Sequence, residues 1–86
     1  MGYVLRGSSI TMSGTANTVD RGSAVAVSVT TAGIVEHRAS NGSTVVGTIK
    51  LPVGVHVLIK DPAETIANAA SGGAVATLTS IAHSDD

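Results

Sequence analysis

Three histidines and six carboxylates are the side chains of this sequence best able to do acid–base or metal chemistry. His37, His56 and His83 stand 19 and 27 residues apart. Compact zinc signatures space their ligands about two to five residues apart within each pair, so these histidines match none of them. A metal or anion could still be held by three copies of one histidine gathered on a trimer axis. The plainer reading is a histidine at a surface or an interface. Glu36 and His37 are neighbours, and on a strand they would point to opposite faces, which rules them out as a general-base pair. Asp61 and Glu64 are placed to cap a helix, and Asp85 and Asp86 read as a solvated tail. A glycosidase needs two facing carboxylates beside aromatic platforms, and the sole aromatic residue is Tyr3.

Nucleophile and phosphate motifs are missing too. Serine is plentiful, but none lies in a GxSxG elbow, and no GxxxxGK[ST] run exists. Gly72-Gly73 follows the expected helix rather than opening one, so it reads as a stop signal. The inventory points away from an enzyme, and no metal or cofactor is expected.

Composition narrows the classes further. The chain has 86 residues, no cysteine, 13 % charged residues and a net charge of −1. One small domain is expected, without disulfides or thiolate metal sites. With no basic excess and almost no aromatics, a nucleic-acid partner is not expected. The longest apolar runs fall far short of the ~20 residues that span a bilayer. Residues 1–12 carry one arginine and no apolar block, so neither a signal peptide nor a membrane partner is expected. Val, Ala, Thr, Ser and Gly together fill more than half the positions, yet 43 % of the chain is hydrophobic, too much for a disordered tail. A domain this small with no large side chains packs a thin core. Burial against further copies or a larger assembly would supply the missing contacts, and the low charge agrees.

The elements that would carry these residues are strands. β-branched residues dominate, punctuated by glycine and Asn-Gly signals. Residues 1–23 read as an extended N-terminal arm with short strands, and residues 24–86 as a β domain. Ala24–Thr31 alternates cleanly: Val25, Val27 and Val29 share one face, while Ala24, Ala26 and Ser28 form a second, small face suited to close packing. Ile34–Arg38 follows, with Ile34, Glu36 and Arg38 on one side. Asn41-Gly42 then turns the chain into Thr44–Leu51, with Val45, Gly47, Ile49 and Leu51 inward. After the break at Pro52-Val53-Gly54, Val55–Lys60 is expected to put Val55, Val57 and Ile59 in the core, leaving His56, Leu58 and Lys60 outside. Asp61 as N-cap, Pro62 at the first position and Glu64 three residues on predict one short helix near 62–70. Ala74–Ala82 closes the fold as a strand. The expected class is all-β: a small antiparallel β-sandwich or barrel with that single helix.

The order Gly47–Gly54, Val55–Lys60 and Asp61-Pro62-Ala63-Glu64-Thr65-Ile66 before a closing strand resembles small virion structural proteins of tailed bacteriophages, over residues 44–82. The resemblance implies a protein located in the virion that decorates or cements the capsid by bridging neighbouring capsomers, with the major capsid protein or another virion protein as partner. It transfers no catalytic residues. A homo-oligomer, a homotrimer in particular, is expected. Tyr3, Val4, Leu5, Ile10 and Met12 would anchor the arm, and His56, Leu58 and Lys60 would form a second interface. Two alternatives are a neck, tail or fibre component and a host-surface module that binds glycan or receptor through the loops at Asn41-Gly42 and Gly72-Gly73.

Overall fold

A computed structural model describes residues 3–83, and the side chains of 4–81. Eight strands follow one another: β1 (Tyr3–Leu5), β2 (Ile10–Thr11), β3 (Ala24–Thr31), β4 (Gly33–Arg38), β5 (Val45–Leu51), β6 (Gly54–Ile59), β7 (Thr65–Asn68) and β8 (Val75–His83). They form two antiparallel sheets. In the larger, β8 and β3 lie side by side, β6 flanks β3, and both β1 and β2 pair with β8. The smaller has β4 between β5 and β7. Asp85 and Asp86 lie outside the described residues.

β3 is the centre of the larger sheet. Its valines are fully buried, with exposures of 0 % for Val25 and Val27 and 2 % for Val29. Residues directly opposite one another in an antiparallel pair share a face. The register Val25↔Ser80, Val27↔Leu78 and Val29↔Ala76 therefore turns Ser80, Leu78 and Ala76 inward. Val35 and Leu51 from the smaller sheet, together with Ile66 of β7, close onto that layer and complete one core with Met12 and Val19. This arrangement is compatible with a small sandwich.

The expected helix near 62–70 is absent, and a strand replaces it. Its start signal is nevertheless real: the Asp61 N–H donates to Glu64 Oε1 at 3.1 Å, and the Glu64 N–H donates to the Asp61 carbonyl at 3.0 Å. The first bond is the glutamate half of a capping box; the second goes to the main-chain carbonyl rather than to the Asp61 carboxylate, and closes a single turn. The chain then leaves the turn as β7, because Thr65 and Ile66 favour strand and β4 offers a ladder. The pairs His37↔Ile66 and Glu36↔Ala67 bury Ile66 to 1 % and Ala67 to 0 % exposure. One helical turn facing solvent would have left that apolar surface uncovered, so tertiary burial overrides the local signal.

Segment 1–23, expected as an extended arm with short strands, carries β1 and β2, and they run along β8 of the same chain. Ile10 pairs with Leu78 and Leu5 with Ile81. Asn17 bridges Ile66 through bonds of 2.9 and 3.1 Å in both directions, and Val19 is wholly buried. Val19, Asp20 and Arg21 form a left-handed turn with φ of 53–55°, a region unfavourable for a β-branched residue. The turn is held by the Val19 N–H on Asn17 Oδ1 at 2.7 Å and the Gly22 N–H on the Val19 carbonyl at 3.1 Å.

Leu78→Ala is expected to cost about 2–5 kcal/mol in urea unfolding, because it opens a void at the centre of the core. Thr77→Ala, one residue away on the exposed face, should stay within about 0.5 kcal/mol of the parent.

Candidate functional site

The β6 strand faces the opposite way from the sequence expectation. Its register against β3 is Val25↔Leu58 and Val27↔His56, so His56 and Leu58 share the inward face of the valines. Leu58 packs on the core, and Lys60 is only 5 % exposed. Val55 and Ile59, expected inside, are instead 58 % and 67 % exposed, with Val57 half-buried between them. The corner from β5 accommodates this phase. Gly54 adopts a φ of 136°, open in practice to glycine alone, and a shift of one residue in strand phase exchanges the two faces.

Lys60 can be turned inward because its charge is met. The ammonium donates to the carbonyls of Gly22 at 2.6 Å, Asp61 at 3.2 Å and Pro62 at 3.4 Å. Burial pushes its pKa below the ordinary value, against the opposing pull of Glu64. Its role is therefore to tie the end of β6 to the Gly22 and Asp61–Pro62 turns.

His37 and Glu64 make a second tie. His37 Nε2 lies 2.8 Å from Glu64 Oε1, joining β4 to the turn before β7. The Asp61 N–H first, and His37 second, hold the Glu64 carboxyl below its ordinary pKa. His56 Nε2 is 2.9 Å from the Pro52 carbonyl. Both histidine rings are thus engaged in local bonds, while the side chain of His83 lies outside those described. Among the described residues no group of three or more His, Asp or Glu side chains is placed to hold a metal.

Between the sheets, β5 and β6 diverge from their shared corner at Pro52 and leave an open groove of about 210 Å³. Val35, His37, Ile49, Leu58, Lys60 and Ile66 line it. The inward phase expected for β5 holds in register from Gly47 to Leu51, with Leu51 opposite Gly33 and Ile49 opposite Val35, but the register shift at His37/Arg38 sets Val45 opposite Arg38 instead. Only Leu51 is buried, however; Val45 and Ile49 remain 47 % and 48 % exposed. Among the described residues nothing covers that half of β5, which leaves the groove open.

The expected anchors of the N-terminal segment divide. Met12 belongs to the core, and Ile10 packs against it. Val4 and Leu5 are exposed, Leu5 on the same outer face as Ile59 and separated from it by Ile81 and Ala24. Tyr3 pairs with His83 through the backbone, and its side chain lies outside those described. The outer face of the larger sheet therefore carries Leu5, Val55, Val57 and Ile59 around the small residues Ala24, Ala26 and Ser28. Sequence reading identified the small face of β3 and missed the apolar row beside it. Adjacent exposed apolar side chains on one face mark an interaction surface. Comparison of the chain with protein-family models, with curated proteins and with solved structures found no match.

A carboxylate whose pKa is depressed on folding stabilises the native state above its unfolded value and loses that contribution as pH falls through the folded value. For Glu64, the loss is expected below its ordinary value of 4.5. Glu64→Gln should therefore unfold at lower urea than the parent at neutral pH, and the two midpoints should converge as pH falls below that ordinary value. Lys60→Met strips a donor from three carbonyls and is expected to cost about 1–3 kcal/mol despite its similar shape.

Proposed function

We propose that this chain is a non-enzymatic structural protein of a tailed-bacteriophage virion, a small β-sandwich that decorates or cements the capsid by bridging neighbouring capsomers. The observation that carries this reading is the outward row of Val55, Val57 and Ile59 on a strand at the edge of the larger sheet. A cementing protein works by surface rather than by pocket. Apolar side chains on a sheet edge, with main-chain groups free to pair, let one chain add to another's sheet. Many weak attachments repeated over a shell sum to a strong one, so each copy needs only a small footprint. The sequence resemblance over residues 44–82 points to the same class of protein. The major capsid protein, or another virion protein, is the partner in this reading, alongside other copies of the chain.

Quantitative mass spectrometry of purified particles tests the assignment. A decoration protein is expected at hundreds of copies per particle, in fixed proportion to the major shell protein. About a dozen copies would place it at the neck or tail instead. Its absence from particles, with binding to isolated host envelopes, would favour the recognition module.

A further inference from the structure

Two sheets have four edges, and three of them are protected. The outer edge beside β8 is made of β1 and β2, three and two residues long, with Arg6 in the break between them. The β7 edge is covered by the chain itself, through Asn17 on Ile66 and the Asn68 N–H on the Ser13 carbonyl at 3.0 Å. The β5 edge carries Lys50 on its outer face and faces a register shift at His37/Arg38. Short strands, covering segments, lysines and bulges are the usual devices that stop sheets from adding to one another. Among the described residues, the β6 edge has none of these. Gly54–Ile59 contains no charged residue and no proline, its ladder with β3 runs without a shift, and the nearest lysine, Lys60, is turned inward and buried.

The backbone at this edge is free at the same residues that carry the apolar row. The Lys60 N–H donates to the Ser23 carbonyl at 2.9 Å, so Lys60 is aimed at β3. Main-chain groups alternate in direction along an antiparallel strand. Leu58 and His56 are therefore aimed at β3 as well, while Val55, Val57 and Ile59 present their N–H and C=O groups to the open side. A two-fold axis at Val57 would set Val57 against the partner's Val57, and Val55 against the partner's Ile59. Each of these pairs can exchange both of its main-chain bonds. The outer face then places β-branched side chains directly across from one another, an arrangement that favours strand pairing. No like charges meet in this register.

We propose that β6 is a self-association edge, at which two copies of this chain pair β6 to β6 about a two-fold axis through Val57 and join their larger sheets into one. Six residues at about 3.3 Å each give an edge of about 20 Å. By itself that falls short of the roughly 1,200 Å² of a standard interface. The dimer is therefore weak and concentration-dependent, and favoured where copies are held side by side. The inference draws on the same β6 edge as the virion reading, but its test is made on the free chain, so its failure is distinguishable from a failure of the particle measurement.

Sedimentation equilibrium of the full chain at neutral pH, from about 10 µM to about 1 mM, reads the association directly. A monomer–dimer equilibrium is expected. Val57→Lys, which sets two ammonium groups against each other on the axis, should weaken it at least about tenfold. Val57→Pro removes an N–H aimed away from β3 and should weaken it as much while leaving the β3 ladder in place. If V57K loses the β-sheet circular dichroism signal, I59K at the more exposed position replaces it. Hydrogen exchange followed by NMR supplies the second readout. Protection of the Val55, Val57 and Ile59 amides should rise with concentration, while that of His56 and Leu58 is already high in the monomer. A monomer at 1 mM, a trimer mass, a dimer indifferent to these substitutions, or edge amides that ignore concentration would each overturn the proposal.

Discussion

The valine stripe of β3 is the constraint from which the rest of the molecule follows. Val25, Val27 and Val29 are inaccessible to solvent, and β3 is bonded on both sides, to β6 and to β8. Once those three side chains define the inner face, every residue directly opposite them must turn inward too. That is why β8 buries Leu78 and Ser80, and why β6 turns Leu58 inward rather than its more apolar face, with Lys60 following in the same phase opposite Ser23. The smaller sheet is then positioned by what it lays on this stripe: Val35, Leu51 and Ile66.

This dependence has a cost at β6. Its hydrophobicity taken alone favours Val55, Val57 and Ile59 inside, and the pairing with β3 places them outside. The Lys60 ammonium, which would normally resist burial, is accommodated by three carbonyls at the strand's end. Burying an amine that has its hydrogen bonds satisfied costs far less than burying a bare one. The apolar face left in solvent is the feature most in need of a physical explanation, and an unguarded edge at the same residues provides one. An edge with free main-chain groups and β-branched side chains is suited to pairing with a strand.

The N-terminal segment shows a similar economy. Large side chains are scarce, so the core recruits Met12 and Val19 from it, and Asn17 covers the open side of β7. The left-handed turn at Val19–Arg21 is the strain accepted to bring Val19 into the core. A chain with larger core residues could have left this segment free. Here the segment is needed to close two edges of the domain's own sheets.

Much of the architecture was legible in the residues. The alternation of Val25, Val27 and Val29, the turn at Asn41-Gly42 and the closing strand all follow from period-two patterning and turn chemistry, which act over a few neighbouring residues. Half of the expected capping box was legible as well and forms, the Glu64 carboxylate on the Asp61 N–H, whereas the Asp61 carboxylate does not cap. Whether a helix followed them depended on β4, far away in sequence, offering a ladder that buries Ile66. The candidate site was less legible, because an alternating strand such as Val55–Lys60 reveals that it has two faces but not which one looks inward. The sequence alone determined the β class, the strands and the lack of large side chains. Only the tertiary structure decided the phase of β6, the burial of Lys60 and the outward turn of Val55, Val57 and Ile59. Those depend on register against β3, and register is a relation between strands that no single strand encodes.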